Sequence, residues 1–237
     1  SGSSVSFGIK ENNYMGRGVK LDTNLTLSDT SITGRLSINN PNYKNSSKSL
    51  NTTFESSETD LMSKFGYKNN KTGFSLGTSF EQYKDLYFSP SISNYYESLK
   101  TSSKASDAKK KQEGSYFESL FSYGLTLNKL NRNYQPTDGY RSSFNQVLPL
   151  ISDDGALVNS YELSKFHELR DEMILSFNIY GKAINSVKGE DVRISKRIFL
   201  AAKRLRGFEQ GKIGPMDSGD FIGGNYASSI NFATTLP

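Results

Sequence analysis

The chain has 237 residues, a net charge of +5 and a mean hydropathy of −0.58, and hydrophobic residues make up 35% of it. A membrane-spanning helix needs about 20 consecutive apolar residues, and no stretch of these 237 residues resembles one. The absence of cysteine excludes a disulfide framework and a thiolate metal cluster.

A period of two residues dominates the chain from its first segment onward. Val19, Leu21, Leu25 and Leu27 alternate with polar residues, as in a strand with one face in an apolar medium and the other in water. The same alternation recurs along the chain and predicts an all-β fold of about eleven strands. The predicted strands cover residues 3–12, 17–28, 31–39, 46–57, 72–82, 86–98, 114–129, 139–149, 157–167, 171–184 and 223–235.

The predicted connections alternate between short and long ones. Outer-membrane barrels have short turns on the periplasmic side and long loops at the cell surface, so this order favours such a barrel. Two connections depart from this order. Connection 29–30 is short although it falls on the side of the long loops, and connection 130–138 is long although it falls on the side of the short turns. The short links are at 12–16, 40–45, 83–85 and 168–171, and the longer ones are at 57–71, 100–113, 151–156 and 185–222.

Strand length distinguishes a membrane barrel from a soluble sandwich. Sandwich strands also alternate apolar and polar residues, but strands in globular proteins are usually about 5 to 6 residues long. The segments 17–28 and 114–129 reach the roughly 9 to 11 residues that a tilted spanning strand needs. We therefore expect a transmembrane antiparallel β-barrel, with a soluble all-β binding domain as the alternative.

The sequence contains one pattern that is typical of catalysis, and its context does not support it. Residues 73–77 match the Gly-x-Ser-x-Gly of hydrolases, but that motif requires a strand-to-helix turn, and Ser75 lies on the polar face of a predicted strand. His167 is the sole histidine and lies at a predicted strand end, where it would have to serve as the base without any other candidate, and one histidine without cysteine does not favour a metal site. We expect no enzymatic activity, no catalytic residue, no metal ligand and no cofactor.

A turn motif follows the seventh predicted strand. Pro136, Thr137, Asp138 and Gly139 combine a proline with an Asp-Gly pair, and both favour a turn between two strands. The motif comes directly after a strand that ends in Asn-Lys-Leu at 128–130.

A second motif lies in the longest predicted connection. The segment Arg204-Leu205-Arg206-Gly207-Phe208 is followed by Gly-Gly-Asn at 223–225, where the last predicted strand begins. With the turn motif at 136–139 and the turns at 13–16 and 40–43, this order of motifs resembles the BamA family of outer-membrane insertases, in the bacterial surface antigen superfamily. The resemblance covers essentially the whole chain.

The resemblance implies an assembly factor that folds and inserts β-barrel proteins into the outer membrane of a Gram-negative cell. It implies unfolded outer-membrane proteins, outer-membrane lipid and the accessory lipoproteins of the assembly machinery as partners, and it implies no nucleic acid. A TamA-type assembly protein or secretion pore, which shares the second motif, and a passive diffusion porin are the alternatives.

The resemblance also makes residues 1–237 a partial C-terminal barrel domain. The eleven predicted strands correspond to strands two to twelve of an expected sixteen-stranded barrel. On this interpretation the first strand, the last four strands, the seam between first and last strands, and the POTRA domains that precede the barrel lie outside the chain.

By resemblance, 204–208 is a lid motif on a surface loop that folds into the lumen. A guanidinium stays charged and needs partners when buried, so we expect Arg206 to be buried and to hold the loop through bidentate hydrogen bonds. Gly207 would allow a tight turn, and Phe208 would make apolar contacts. The family pattern places an acidic partner on each of the two following strands, but Ala233 occupies the first position and the second lies beyond Pro237.

Overall fold

A computed structural model describes residues 3–103, 105–170, 173–189, 191–201, 204–209, 211–217 and 219–235. For residues 64, 65, 108, 109 and 220 it describes the backbone alone. Within these ranges, the model contains no helix that is both long enough and apolar enough to cross a membrane.

Eleven antiparallel strands form one sheet, in which strands that follow one another along the chain are paired. The strands are β1 (Ser4–Tyr14), β2 (Val19–Ser28), β3 (Ser31–Asn40), β4 (Ser49–Leu61), β5 (Tyr67–Tyr83), β6 (Leu86–Thr101), β7 (Gly114–Leu130), β8 (Gly139–Ser152), β9 (Ala156–Arg170), β10 (Met173–Ser186) and β13 (Tyr226–Thr234). β10 pairs with β13 across the longest loop, and β1 and β13 form the two edges of the sheet. The prediction of an all-β fold with eleven strands is confirmed.

The remaining elements are short and lie in the connections. The short elements are a 3-10 turn (Tyr43–Asn45), α1 (Met62–Phe65), α2 (Asp107–Lys110), a 3-10 turn (Ile194–Lys196), β11 (Met216–Asp217) and β12 (Asp220–Phe221). β11 and β12 pair with one another inside the loop between β10 and β13.

One predicted loop is a strand hairpin in the structure. Residues 57–71 were expected to form a long connection, but pairing between β4 and β5 continues to Leu61 and Tyr67. The polar residues here suggested a loop, whereas Lys68 Nζ contacts the Glu58 carboxylate at 2.5 Å and that of Asp60 at 3.8 Å across the hairpin. Cross-strand charge pairs of this kind stabilise a polar strand extension.

The strand register gives the sheet an apolar face and a polar face. Phe54 pairs with Phe74, and Leu76 pairs with Ile92, on the apolar face, which we call the outer face. Its large apolar side chains are exposed, as expected where lipid rather than protein covers them. Exposed apolar residues of the outer face include Val5, Phe7, Ile9, Leu25, Ile32, Phe54, Phe74, Leu76, Ile92, Phe117, Leu125, Ile230 and Phe232.

The opposite face, which we call the inner face, carries hydroxyl, amide and charged side chains. Hydroxyl groups bond across neighbouring strands there, as between Ser91 and Ser122 at 2.7 Å and between Ser37 and Thr53 at 3.3 Å. Apolar-out and polar-in alternation is the pattern of a barrel with a watery lumen. Whatever occupies the lumen therefore meets the inner face.

Candidate functional site

The loop between β10 and β13, residues 187–225, folds against the inner face. Val192 and Ile198 of the loop form a buried apolar cluster with Ala156 and Ile184 of the sheet. Ile198 also forms an antiparallel bridge with Gly224, with N–H to C=O distances of 2.8 and 3.0 Å. The first part of the loop is therefore packed and hydrogen-bonded onto the inner face and onto the segment that leads into β13.

A guanidinium beside this cluster is almost completely buried. Arg193 has a side-chain exposure of 1% and contacts three carboxylates, with Nη2 2.9 Å from Glu118, Nε 3.0 Å from Asp154 and Nη1 3.3 Å from Glu97. Lys196 joins the group by contacting Glu118 and, at 3.1 Å, Asp154. We call these five residues the anchor cluster.

Sequence reasoning missed the anchor cluster. Arg193 lies in the predicted connection 185–222, and Glu97 and Glu118 lie on the predicted strands 86–98 and 114–129, but the sequence prediction gave none of the three a role. The alternation could have identified these two acids. Glu97 and Glu118 occupy polar positions of β6 and β7, and these two strands pair with one another. A carboxylate on the wall of a lumen is a candidate partner for a cation on an inserted loop.

The lid motif at 204–208 is divided between contact with the inner face and solvent. Arg204 Nη2 lies 3.2 Å from the carboxylate of Glu162, and its Cζ lies 3.5 Å from the ring centroid of Tyr180. Leu205 is half-buried, whereas Arg206, Gly207 and Phe208 are exposed.

Arg206 is exposed in this structure, and because the second expected acidic partner lies beyond Pro237, the role of Arg206 in holding the loop stays a prediction. The buried guanidinium of the loop is that of Arg193, and the arginine of the motif that contacts the sheet is Arg204. Ala233 pairs with Ser176 and offers a methyl group where the family pattern has a carboxylate. Within the described residues, Arg206 forms no ion pair, which agrees with the absence of an acid at Ala233.

The turn motif is tightly braced. The side-chain oxygen of Asn131 accepts hydrogen bonds from the N–H groups of Thr137 and Asp138 at 3.2 and 3.3 Å. Gly139 has a φ of +96°, and a Cβ there would collide with the carbonyl oxygen of Lys129, so the close approach of strands β7 and β8 requires glycine. Pro136 is half-buried at the centre of the turn.

The hydrolase-like pattern at 73–77 does not form a catalytic turn. Ser75 lies within β5, where it pairs with Thr53 on one side and Ser93 on the other. His167 lies on β9, with Nδ1 3.4 Å from the Asp138 carboxylate. Among the described residues, no three histidine or acidic side chains are grouped to hold a metal ion.

Comparison with known proteins assigns this arrangement to a family. A family model described as the Omp85 superfamily domain matches residues 13–236. A crystal structure of BamA from Haemophilus ducreyi lacking POTRA domains 1–3 superposes with a TM-score of 0.87 at 22% identity, covering 100% of this chain and 51% of that one. The fold is therefore that of the BamA barrel.

Relatives come from bacteria and from animals. The outer membrane protein assembly factor BamA of Neorickettsia risticii is 31% identical over 126 residues, which cover 52% of this chain and 17% of that protein. The sorting and assembly machinery component 50 homolog of Homo sapiens is 26% identical over 138 residues, which cover 56% of this chain and 29% of that protein. The matched part spans less than a third of these relatives.

Proposed function

Because the chain belongs to the Omp85 superfamily, we propose that its protein folds and inserts β-barrel proteins into an outer membrane. Two observations support this: the relatives are named for assembly, and the exposed apolar outer face belongs in a bilayer.

The observation that carries the proposal is the loop 187–225 folded onto the inner face. This loop is held against the inner face by a buried guanidinium and carries the lid motif 204–208, which a passive diffusion porin has no reason to carry even where its own loops fold inward. We assign that motif to the lid, with Arg204 holding it to Glu162 and Tyr180. Arg206 and Phe208, being exposed, remain available to partners on further strands.

The proposed work needs no bond-breaking chemistry and no cofactor. Unpaired backbone groups are costly in a bilayer, so a substrate strand that pairs with an exposed strand edge lowers its free energy as it inserts. Its own strand pairing then drives insertion. The proposed partners are unfolded outer-membrane proteins, membrane lipid and accessory lipoproteins.

Reconstitution of the full-length protein tests the proposal. An unfolded eight-stranded outer-membrane protein is added to liposomes that contain the protein, and folding is followed as the appearance of its heat-modifiable band in a gel. We expect faster folding than in empty liposomes and in liposomes that contain an unrelated porin of equal mass.

The same liposomes distinguish the rival function. Folding no faster than with the porin, together with rapid release of a trapped small solute, would identify a passive pore and contradict the assembly function. A TamA-type protein would share the accelerated folding but would prefer a different set of substrates, which a panel of substrate barrels measures.

A further inference from the structure

The anchor cluster fixes the long loop at a place that the lid motif does not include. Arg193 lies in the loop, whereas its carboxylate partners lie on three other elements: Glu97 on β6, Glu118 on β7 and Asp154 between β8 and β9. Glu118 is 75 residues away in sequence. One side chain thus joins the loop to a stretch of the inner face and to a neighbouring loop.

The geometry uses most of the donor edge of the guanidinium. Nη2 donates a hydrogen bond to Glu118, and Nε and Nη1 make close ion pairs with Asp154 and Glu97 without hydrogen-bond geometry. The ring of Tyr116 covers the plane of the guanidinium, with its centroid 3.8 Å from Cζ. A lysine has one ammonium in place of this planar fork and cannot meet three carboxylates on different sides.

The charges explain why the loop stays in place. Three carboxylates and two cations make up the cluster, and Glu97 and Glu118 are only 5% and 4% exposed. Withdrawal of the loop would remove both cations and leave three carboxylates close to one another without a counter-charge, and like charges that share a site repel one another. Breaking a buried ion pair by removing one partner is strongly unfavourable.

Backbone contacts beside Arg193 act in the same direction. The N–H of Ile194 donates to the side-chain oxygen of Gln112, which lies just before β7. The bridge between Ile198 and Gly224 ties the outgoing and returning parts of the loop together. Residues 192–198 are thus held by charge, hydrogen bonding and apolar packing.

We propose that Arg193 is a positioning residue that sets the place of the lid motif in the lumen, independently of the Arg-Gly-Phe sequence. It acts through the loop backbone. Arg204, which contacts Glu162 and Tyr180, follows the residues of the 194–196 turn by eight to ten positions. This inference rests on the proposed function only for the role of the lid in assembly. The anchoring itself is measurable without any assembly assay.

The first test measures protection of the inner face in the full-length protein. The chain has no cysteine, so Ala156→Cys, at a position 6% exposed under the loop, gives a single labelling site. Arg193→Met should raise the rate of maleimide labelling at least tenfold in folded, heat-modifiable protein. Arg35→Met is the matched control, since Arg35 is an exposed inner-face arginine with no ion pair in the described part of the chain.

The second test asks whether Arg193 acts by fixing the position of the loop. Ile198 and Gly224 form a hydrogen-bonded antiparallel pair, whose Cα separation of about 5.5 Å suits a disulfide. In an Arg193→Met background, Ile198→Cys with Gly224→Cys should restore substrate folding under oxidising conditions and lose it again on reduction. A residue needed only for barrel folding would not be rescued by this tether.

The outcomes separate the two proposals. Unchanged labelling of the cysteine introduced by Ala156→Cys in folded Arg193→Met protein, or in the milder Lys196→Met protein if the first does not fold, would overturn the anchoring role. Increased labelling with normal substrate folding would also overturn the proposal, because the lid would then work without its anchor. If the parent protein itself does not accelerate substrate folding, the proposed function fails while the labelling result still decides the anchor.

Discussion

The two halves of the long loop are held in contrasting ways. The base, residues 191–201, contains a guanidinium and three apolar side chains, Val192, Ile194 and Ile198, that are all buried. The tip, residues 204–209 and 211–214, contains the lid motif and contacts the inner face through Arg204, while Arg206, Phe208 and Lys212 are exposed. The base and the tip are therefore held by separate contacts, and each half can be perturbed separately.

The largest expected effect is on the charges of the base. Arg193→Met leaves the buried carboxylates of Glu97 and Glu118 without their main partner, and removing one member of a buried pair costs about 3 to 5 kcal/mol. The midpoint of heat modifiability in detergent micelles measures the loss. Lys212→Met is the matched change in the tip. Its Nζ lies 2.9 Å from the Glu209 carboxylate, but both side chains are exposed, so this ion pair contributes at most about 1 kcal/mol. Equal shifts in the two variants would contradict the division into base and tip.

Apolar packing under the base should come next in size. Ile184 is 1% exposed and belongs to the cluster that receives the loop, so Ile184→Ala should lower the unfolding free energy by about 2 to 4 kcal/mol through lost burial and a cavity. Met216→Ala, at a position 56% exposed in the same loop, should change it little. Urea unfolding in micelles compares the two, and a negligible loss for Ile184→Ala would mean that the cluster does not secure the base.

The return of the loop to β13 depends on one glycine. Gly223 has a φ of +73°, and a Cβ there would lie 2.9 Å from the ring of Phe199, so Gly223→Ala should cost about 1 to 3 kcal/mol from backbone strain and crowding. Gly16 has a φ of +70° with open space around it, and Gly16→Ala isolates the strain alone. The difference between the thermal midpoints of the two variants measures the cost of crowding against Phe199. Equal midpoints would show that the surrounding residues move to accommodate the added Cβ.

The smallest expected effect concerns the contacts of Arg204, in the tip, with the inner face. Arg204→Met removes a partly exposed ion pair with Glu162 and a cation–π contact with Tyr180, together about 1 kcal/mol. Because the base stays anchored, labelling of a cysteine that replaces Ala156 should not change. Faster labelling at that position in this variant would show that base and tip move as one unit.

The strands of the sheet could be predicted because the pattern that produces them is local in sequence. Alternation along each strand depends on neighbouring residues, so eleven strands were expected and eleven form one sheet. The hairpin between β4 and β5 was misjudged because Lys68, Asn69 and Asn70 look like a loop when read alone. Their pairing depends on Glu58 and Asp60 across the hairpin, which a linear pattern does not reveal.

The motif at 204–208 was also identified from the sequence, but its physical state was not. Three arginines, at 193, 204 and 206, lie close together in the chain, and only the inner face distinguishes them. Arg193 meets Glu97 and Glu118, Arg204 meets Glu162, and Arg206 faces solvent.

The sequence by itself determined the all-β fold and the strand number, because both are encoded in an alternation of side chains a few residues apart. The tertiary structure alone decided which cation is buried. A buried charge needs ion pairs and hydrogen bonds that compensate its loss of water, and the folded sheet supplies these to Arg193 through carboxylates distant in the sequence, whereas Arg206 is exposed.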